Sequence, residues 1–295
     1  MELNTDIVDT PPRDAASIVM LRDSEAGLQV LLVRRHAQTA VLGGACVFPG
    51  GKLDADDSSD ALLARLDHTP DELHARLAEP ALAPRKAAAC FVAAAREAFE
   101  EAGVLFMQTD GPHAAAVDAA ACASLRAGEA FGALLARLNL RLDSEALAPW
   151  SRWITPRQPS IMRTRFDTRF FLAAAPAGQE ATQDDYEVTE LLWRTPRAAL
   201  EQYRDRVIDL APPQIISLAH LARFATVQAA LADARSRAPA LIAPEPFEDG
   251  GARVLTYPGD ARHSVRQRAL PCPTRLRYQN GLFLPEQGFE ALFAP

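Results

Sequence analysis

The helix that residues 84–102 are built to form constrains this chain more than any other feature. Pro84 suits a first helical turn, where its missing N–H is no loss, and Gly103 suits the left-handed residue that closes a helix, so "PRKAAACFVAAAREAFEEAG" reads as one helix. At about 100° per residue, Phe91, Ala95, Ala98, Phe99 and Ala102 share one side, and Glu97, Glu100 and Glu101 share the opposite one. One face is core and the other is anionic. Taken alone, an acidic face is a solvated surface, here with an Arg96–Glu100 pair at i, i+4. Two features argue for a site instead. Carboxylates three and four residues apart repel one another, and a hard divalent cation with oxygen ligands turns that repulsion into binding. The run "CVFPGG" at 46–51 also precedes the helix; its proline and glycines predict a strand ending in a tight loop with backbone geometries closed to other residues, able to bring carbonyls and a phosphate together.

Around this helix the order is β, β, α, β, β, α. "ASIVMLR" (16–22) and "LQVLLVRR" (28–35) predict a hairpin, "TRFDTRFFLAAA" (164–175) and "YEVTELLW" (186–193) predict two more strands, and 212–235 predicts one long amphipathic helix. Residues 58–83, with scattered leucines and prolines, predict one or two short surface helices that protrude as an insertion, and 108–147 predicts a peripheral helical segment. From Ser236 onward proline rises and "ARVLTYPG" and "TRLRYQNGLFL" predict a β extension.

The chain has 295 residues, is 48% hydrophobic and carries a net charge of −7, which fits one enlarged domain and argues against broad nucleic-acid or anionic-membrane binding. The polar, acidic start "MELNTDIVDT" and the lack of a spanning apolar run predict a soluble, cytoplasmic protein. Cys46, Cys90, Cys122 and Cys272 are widely spaced with no C-x-x-C pair, so reduced thiols are expected, and no H-E-x-x-H pair points to zinc.

The residues resemble the Nudix family. Its box is a glycine, five residues, a glutamate, seven residues, then R-E-U-x-E-E-x-G-U, with U a bulky aliphatic residue. "REAFEEAGV" matches the second half at Arg96, Glu97, Glu100, Glu101, Gly103 and Val104, with Ala98 the one departure. "GGKLDADD" resembles the first half, with Gly51 as the box glycine, Asp54 at a commonly acidic position and Asp57 in place of the glutamate. Between Asp57 and Arg96 stand 38 residues, 58 to 95, so the box is split. An inserted box is similar to the coenzyme A diphosphatase-like branch, related to the peroxisomal enzyme, as are "WSRWITP", "RFDTRFFLA" and "YEVTELLWRTPRAAL"; the likeness covers about residues 14–235. It implies an α/β/α sandwich with a mixed central sheet, a hydrolase domain over 14–235 with insertions at 58–83 and 108–147, and a C-terminal extension over 236–295. Lengthening a surface loop adds little closure entropy, about 0.6 kcal/mol per doubling, so the half-boxes can still meet.

The resemblance further implies cleavage of a diphosphate in a nucleoside diphosphate-type small molecule, assisted by Mg²⁺ or Mn²⁺. By position Glu97, Glu100 and Glu101 would hold metal, joined by the carbonyl of Gly50. Arg96 would orient the helix by pairing with Asp57 or Glu100, and the general base is left among Glu97, Glu187 and Glu190, a solvent-facing strand residue being an equal reading for Glu190. Arg34, Arg35 and Arg163 are candidates for substrate phosphate, against ordinary strand-end charges for the first two. Trp150 and Trp153 read as packing. The basic group Arg262, His263, Arg266, Arg268, Arg275 and Arg277 is open between covering the site, pairing with a second subunit in a homodimer, and its default of solvated surface. A CoA-associated pattern upstream of the box, L-L-T-x-R, a small residue, three residues, R, three residues, G, three residues, F-P-G-G, is kept at Leu31, Leu32, Arg35, Gly44 and 48–51, and is lost at Val33, His36 and Ala40. CoA or an acyl-CoA, giving 3',5'-ADP and phosphopantetheine, is therefore the expected substrate, with ADP-ribose, a nucleoside diphosphate sugar, or a non-catalytic regulatory module as the alternatives.

Overall fold

The computed structural model describes residues 3–4, 6–39, 41–108, 119–161, 164–182 and 188–294. The chain opens with the expected hairpin, β1 (Arg13–Ser24) and β2 (Gly27–Arg35), in antiparallel register Leu21↔Val30. β3 (Cys46–Val47) pairs with β2. Residues 50–52, expected as loop, form a third short element instead. β4 (Gly50–Lys52) lies antiparallel on the first half of β1, Ser17 opposite Gly50 and Ala15 opposite Lys52. β1 thus changes partner along its length, from β4 to β2, and the hairpin splays where it does so.

Helices α1 (Asp60–Leu63), α2 (Pro70–Leu77) and α3 (Pro84–Ala102) follow, then α4 (Ala119–Arg126) and α5 (Phe131–Arg137). The described parts of the segments expected at the surface form short, partly exposed helices that each bury one apolar edge. Leu62, Leu66, Leu73 and Leu77, together with Phe131, Leu134 and Leu135, are buried in one cluster with the apolar side of α3. Each fully buried leucine contributes roughly 1.5–3 kcal/mol, so these helices are a working part of the core.

β5 (Ala148–Ile154), β6 (Phe166–Ala174) and β7 (Val188–Arg194) complete the sheet with β8 (Ala240–Ile242), in the order β3-β2-β1-β6-β5-β8, with β4 on β1 and β7 on β2. It is mixed, since β1 runs parallel to β6 and β5 parallel to β8 while the other pairs are antiparallel. Strand alternation sorts the side chains into two cores. Ile18, Met20 and Phe171 face α1–α5, whereas Val19, Leu21, Phe170 and Leu172 face the other layer.

That second layer holds α6 (Pro196–Arg204), α7 (Pro212–Leu221) and α8 (Val227–Arg235). The long helix expected over 212–235 is two helices, because Thr226 leaves the helical conformation and its hydroxyl accepts from the Ala229 N–H, an N-cap that starts a new helix. The C-terminal strands β9 (Glu245–Asp249), β10 (Ala252–Thr256), β11 (Arg275–Gln279) and β12 (Leu282–Leu284) form a small antiparallel sheet. Leu255, Leu276 and Phe283 from it sit in the same cluster as α6–α8, and the Phe283 N–H donates to the buried Tyr203 hydroxyl at 2.7 Å. Among the described residues no helix is long and apolar enough to cross a membrane.

Candidate active site

The two half-boxes meet at Arg96. Its guanidinium grips Asp57 with two hydrogen bonds, Nε to Oδ1 at 2.9 Å and Nη2 to Oδ2 at 3.0 Å, across the 38 residues that separate them. Asp57 is 1% exposed, and it is ready to receive Arg96 because Oδ2 also accepts the Asp54 N–H, which closes the short 3₁₀ turn Ala55–Ser58 as a capping box. Nη1 of Arg96 serves two acceptors, Glu97 Oε1 and Glu100 Oε2, both at 2.8 Å. Asp54 stands 3.8 Å away and pairs with Lys52 at 3.1 Å.

Glu101 is held from the other side. Buried at 2% exposure, it accepts the Gly50 N–H at 3.0 Å and Arg35 Nη1 at 3.1 Å. The acidic face of α3 is therefore pressed against β4 rather than spread in solvent, and this explains the glycines. Neither has a positive φ; what they supply is room. A Cβ on Gly50 would sit 2.6 Å from the Ala16 carbonyl oxygen, and one on Gly51 would sit 2.3 Å from Glu97 Oε1. Gly103 does adopt the left-handed conformation expected of it, with φ of 65°.

One guanidinium faces the carboxylates of Asp57, Glu97 and Glu100, so the cluster carries surplus negative charge. Burial pushes the Glu97 carboxyl up to about 7; Arg96 pulls against this and Glu100 adds to it. Burial raises Glu100 too, again against Arg96. Among the described residues no three His, Cys, Asp or Glu side chains already converge as metal ligands, since Arg96 holds the central place. The donor set is nonetheless oxygen only, crowded and under-neutralised, which fits a hard divalent cation.

The cluster stands at one side of a cavity of about 820 Å³. Ala15 and Ser17 on β1 and Thr168 and Phe170 on β6 are alternate residues of paired strands and share the face that floors it. Trp153, 3% exposed, packs edge-on against Tyr257 and also lines the cavity, while Trp150 is wholly core, stacked on His220 at 5.5 Å. Gln214 at the start of α7 and Leu255 of β10 close it from the second layer.

The other candidates separate. Arg34 and Arg35 are neighbours on β2 and so point to opposite faces: Arg35 reaches Glu101 in the cavity, whereas Arg34 pairs with Glu190 across the β2–β7 ladder at 2.8 Å, and neither Arg34 nor Glu190 lines the cavity. A substrate contact for Arg34 and a base role for Glu190 have no geometric support. Glu187, Arg163 and Ala40 lie outside the described residues. The C-terminal arginines do not cover the site. Arg275 pairs with Asp260 at 2.9 Å, Arg277 with Glu286 at 3.3 Å, and Arg262 lies 4.2 Å over the Phe247 ring. Sequence reasoning missed Lys52, Gln214 and Leu255; for Lys52 the signal was its place beside the box glycine, and for the others there was none.

A mixed sheet between helical layers, with a split carboxylate-rich box at a cavity, defines a Nudix protein. The chain belongs to the NUDT19 Nudix domain family, whose sequence model matches residues 9–221. It is 29% identical over 239 residues to the acyl-coenzyme A diphosphatase NUDT19 of Xenopus laevis, covering 70% of this chain and 63% of that protein. With the Homo sapiens protein of the same name it shares 32% identity over 234 residues, 68% of this chain and 62% of that one. The match thus spans less than two thirds of the length of either relative. A crystal structure of a NUDIX hydrolase from Alicyclobacillus acidocaldarius superposes with a TM-score of 0.63 at 28% identity, over 79% of this chain and 99% of that one.

Proposed function

We propose that the protein is a divalent-metal-dependent hydrolase that cleaves the diphosphate of coenzyme A or its acyl thioesters to 3',5'-ADP and a phosphopantetheine. One observation carries the reading: Glu97, Glu100 and Glu101 line a large cavity beside Gly50 and Gly51, and with the buried Asp57 they outnumber the two arginines, Arg96 and Arg35, that pair with them. The name of the two relatives supports the substrate class.

In this reading Glu97, Glu100 and Glu101 would hold Mg²⁺ or Mn²⁺, joined by the Gly50 carbonyl. The bound cation supplies neutralisation of the anhydride oxygens and a lowered pKa for the attacking water. Arg96 and Asp57 are positioning residues that fix the helix against β4. Arg35 fixes Glu101, and the close approach allowed by Gly51 fixes Glu97. Of the two candidates for general base among the described residues, Glu97 lines the cavity and Glu190 does not, so Glu97 would take the proton of the attacking water. Trp153, Phe170 and Leu255 exclude water from the substrate's apolar arm.

The test is product identification by mass from CoA, acetyl-CoA, ADP-ribose, NADH and diadenosine polyphosphates, with Mg²⁺ or Mn²⁺ and with chelator. CoA or acyl-CoA should give 3',5'-ADP only with metal. A kcat/KM for any other substrate about tenfold above CoA refutes the substrate class, and turnover unaffected by chelator refutes the metal.

A further inference from the structure

Four cationic side chains line the cavity, and among the described residues three are committed. Arg96 holds Asp57, Glu97 and Glu100; Arg35 holds Glu101; Lys52 pairs with Asp54. The fourth is Arg13. It begins β1, it is exposed, and among the described residues its guanidinium makes no hydrogen bond or ion pair, its backbone N–H alone being tied, to the Arg165 carbonyl at 2.9 Å. Its place is set by register. Ser17 lies opposite Gly50, where the carboxylates gather, and Arg13 lies four residues earlier on the same strand and the same face, about 13 Å along it at 3.3 Å per residue. Phe166 of β6 stands beside it in register and also lines the cavity. An arginine beside an aromatic residue on the cavity wall, about 13 Å along β1 from the level of the clustered carboxylates, is too distant for the group being cleaved. It suits a second anion of the same ligand, which guanidinium grips in bidentate fashion.

We propose that Arg13 binds a phosphomonoester carried on the nucleoside side of the substrate, distinct from the diphosphate that is cleaved. The proposal rests on the diphosphate-hydrolase reading above and adds the group that selects a 3'-phosphorylated nucleotide over its unphosphorylated counterpart.

Steady-state kinetics of the full chain, its Arg13→Ala and its Arg13→Lys variants on CoA and on 3'-dephospho-CoA with saturating Mn²⁺ test it, alongside calorimetric binding of 3',5'-ADP and 5'-AMP. Arg13→Ala should raise KM for CoA about tenfold, the loss expected of one charge-assisted contact, leave kcat within about twofold, and leave dephospho-CoA unaffected. Arg13→Lys, which keeps the charge and loses the bidentate fork, should recover only part of the affinity, and in calorimetry Arg13→Ala should abolish any preference for 3',5'-ADP over 5'-AMP. An equal change for both substrates, or none for either, overturns the assignment. If the wild-type protein cleaves neither substrate, the hydrolase reading fails, and the calorimetric pair alone then decides for or against Arg13.

Discussion

Two buried arginines each gather several carboxylates in this molecule, and they do so to different ends. Arg169, 2% exposed, is gripped by Glu79 at 3.0 and 2.8 Å and by Asp14 at 2.6 Å, and lies 3.3 Å from Asp167. Two further cations share these acids: Arg152 pairs with Glu79 and Asp167, and Lys86 with Asp14. Charge is balanced, three against three. Burial pushes the Asp14 carboxyl up, yet hydrogen bonds from Lys86 and Arg169 hold it below its ordinary value. The cluster ties α3 and the turn after α2 to β1, β5 and β6, and it lies off the cavity. Around Arg96 the balance fails, and the carboxyls of Glu97 and Glu100 rise. A balanced network is a staple. One left negative at a cavity is a place for a cation.

The comparison breaks most visibly at Arg169. Arg169→Met removes the shared partner of Glu79, Asp14 and Asp167 and should cost about 3–5 kcal/mol in urea unfolding, while the folded fraction keeps its kcat; an unchanged midpoint would deny the staple. At the other cluster the sign reverses. Glu100→Gln or Glu101→Gln should lower turnover at least about a hundredfold, about 2.7 kcal/mol, with little change in stability for the partly exposed Glu100 and a measurable loss for the buried Glu101, whose charge answers Arg35, and near-normal turnover in both would remove the metal assignment.

Protonation sharpens the same contrast at a smaller scale. The folded value for Glu97, about 7, is above its unfolded one, so the folded state binds more protons between about pH 4.5 and 7 and stability falls as pH rises through that window. Without metal the effect should reach about 3 kcal/mol, and the difference between the wild type and Glu97→Gln isolates it; Mg²⁺ should recover most of it above pH 7. The value for Asp14 is lowered, so its contribution is present above about pH 4 and is lost only in stronger acid. A Glu97→Gln variant with the wild-type slope would show that the Arg96 cluster is balanced after all. The smallest effect expected is that of Gly51→Ala, whose Cβ would displace Glu97: about tenfold in kcat, or 1.4 kcal/mol, with the Arg169 staple and the unfolding midpoint little changed.

Much of this was legible in the residues. The hairpin, the limits of α3 and its acidic face follow from local periodicity, a proline and a glycine, and the Arg96–Asp57 contact follows from aligning two half-boxes. The division of Arg34 from Arg35 was also written in the sequence, because adjacent strand residues point to opposite faces, so at most one of these two candidates for substrate phosphate could face the site. The break between α7 and α8 had its sign in Thr226, an N-cap residue inside an otherwise continuous amphipathic pattern.

What the sequence alone determined is therefore what rests on neighbours within a turn or a strand: the β1–β2 hairpin, the limits of α3, and which carboxylates share one side of it. Only the tertiary structure decided the rest. It turned the expected glycine loop at 50–52 into β4 by laying it on β1, drew the leucines of 58–83 into the core, and set Leu255 of the C-terminal sheet and Gln214 of α7 at the wall of the same cavity as Glu97. It also made one buried arginine a balanced staple and the other a centre short of positive charge. The physical reason is that burial and net charge are sums over whatever packs around a residue, and those neighbours come from chain positions that no local pattern connects.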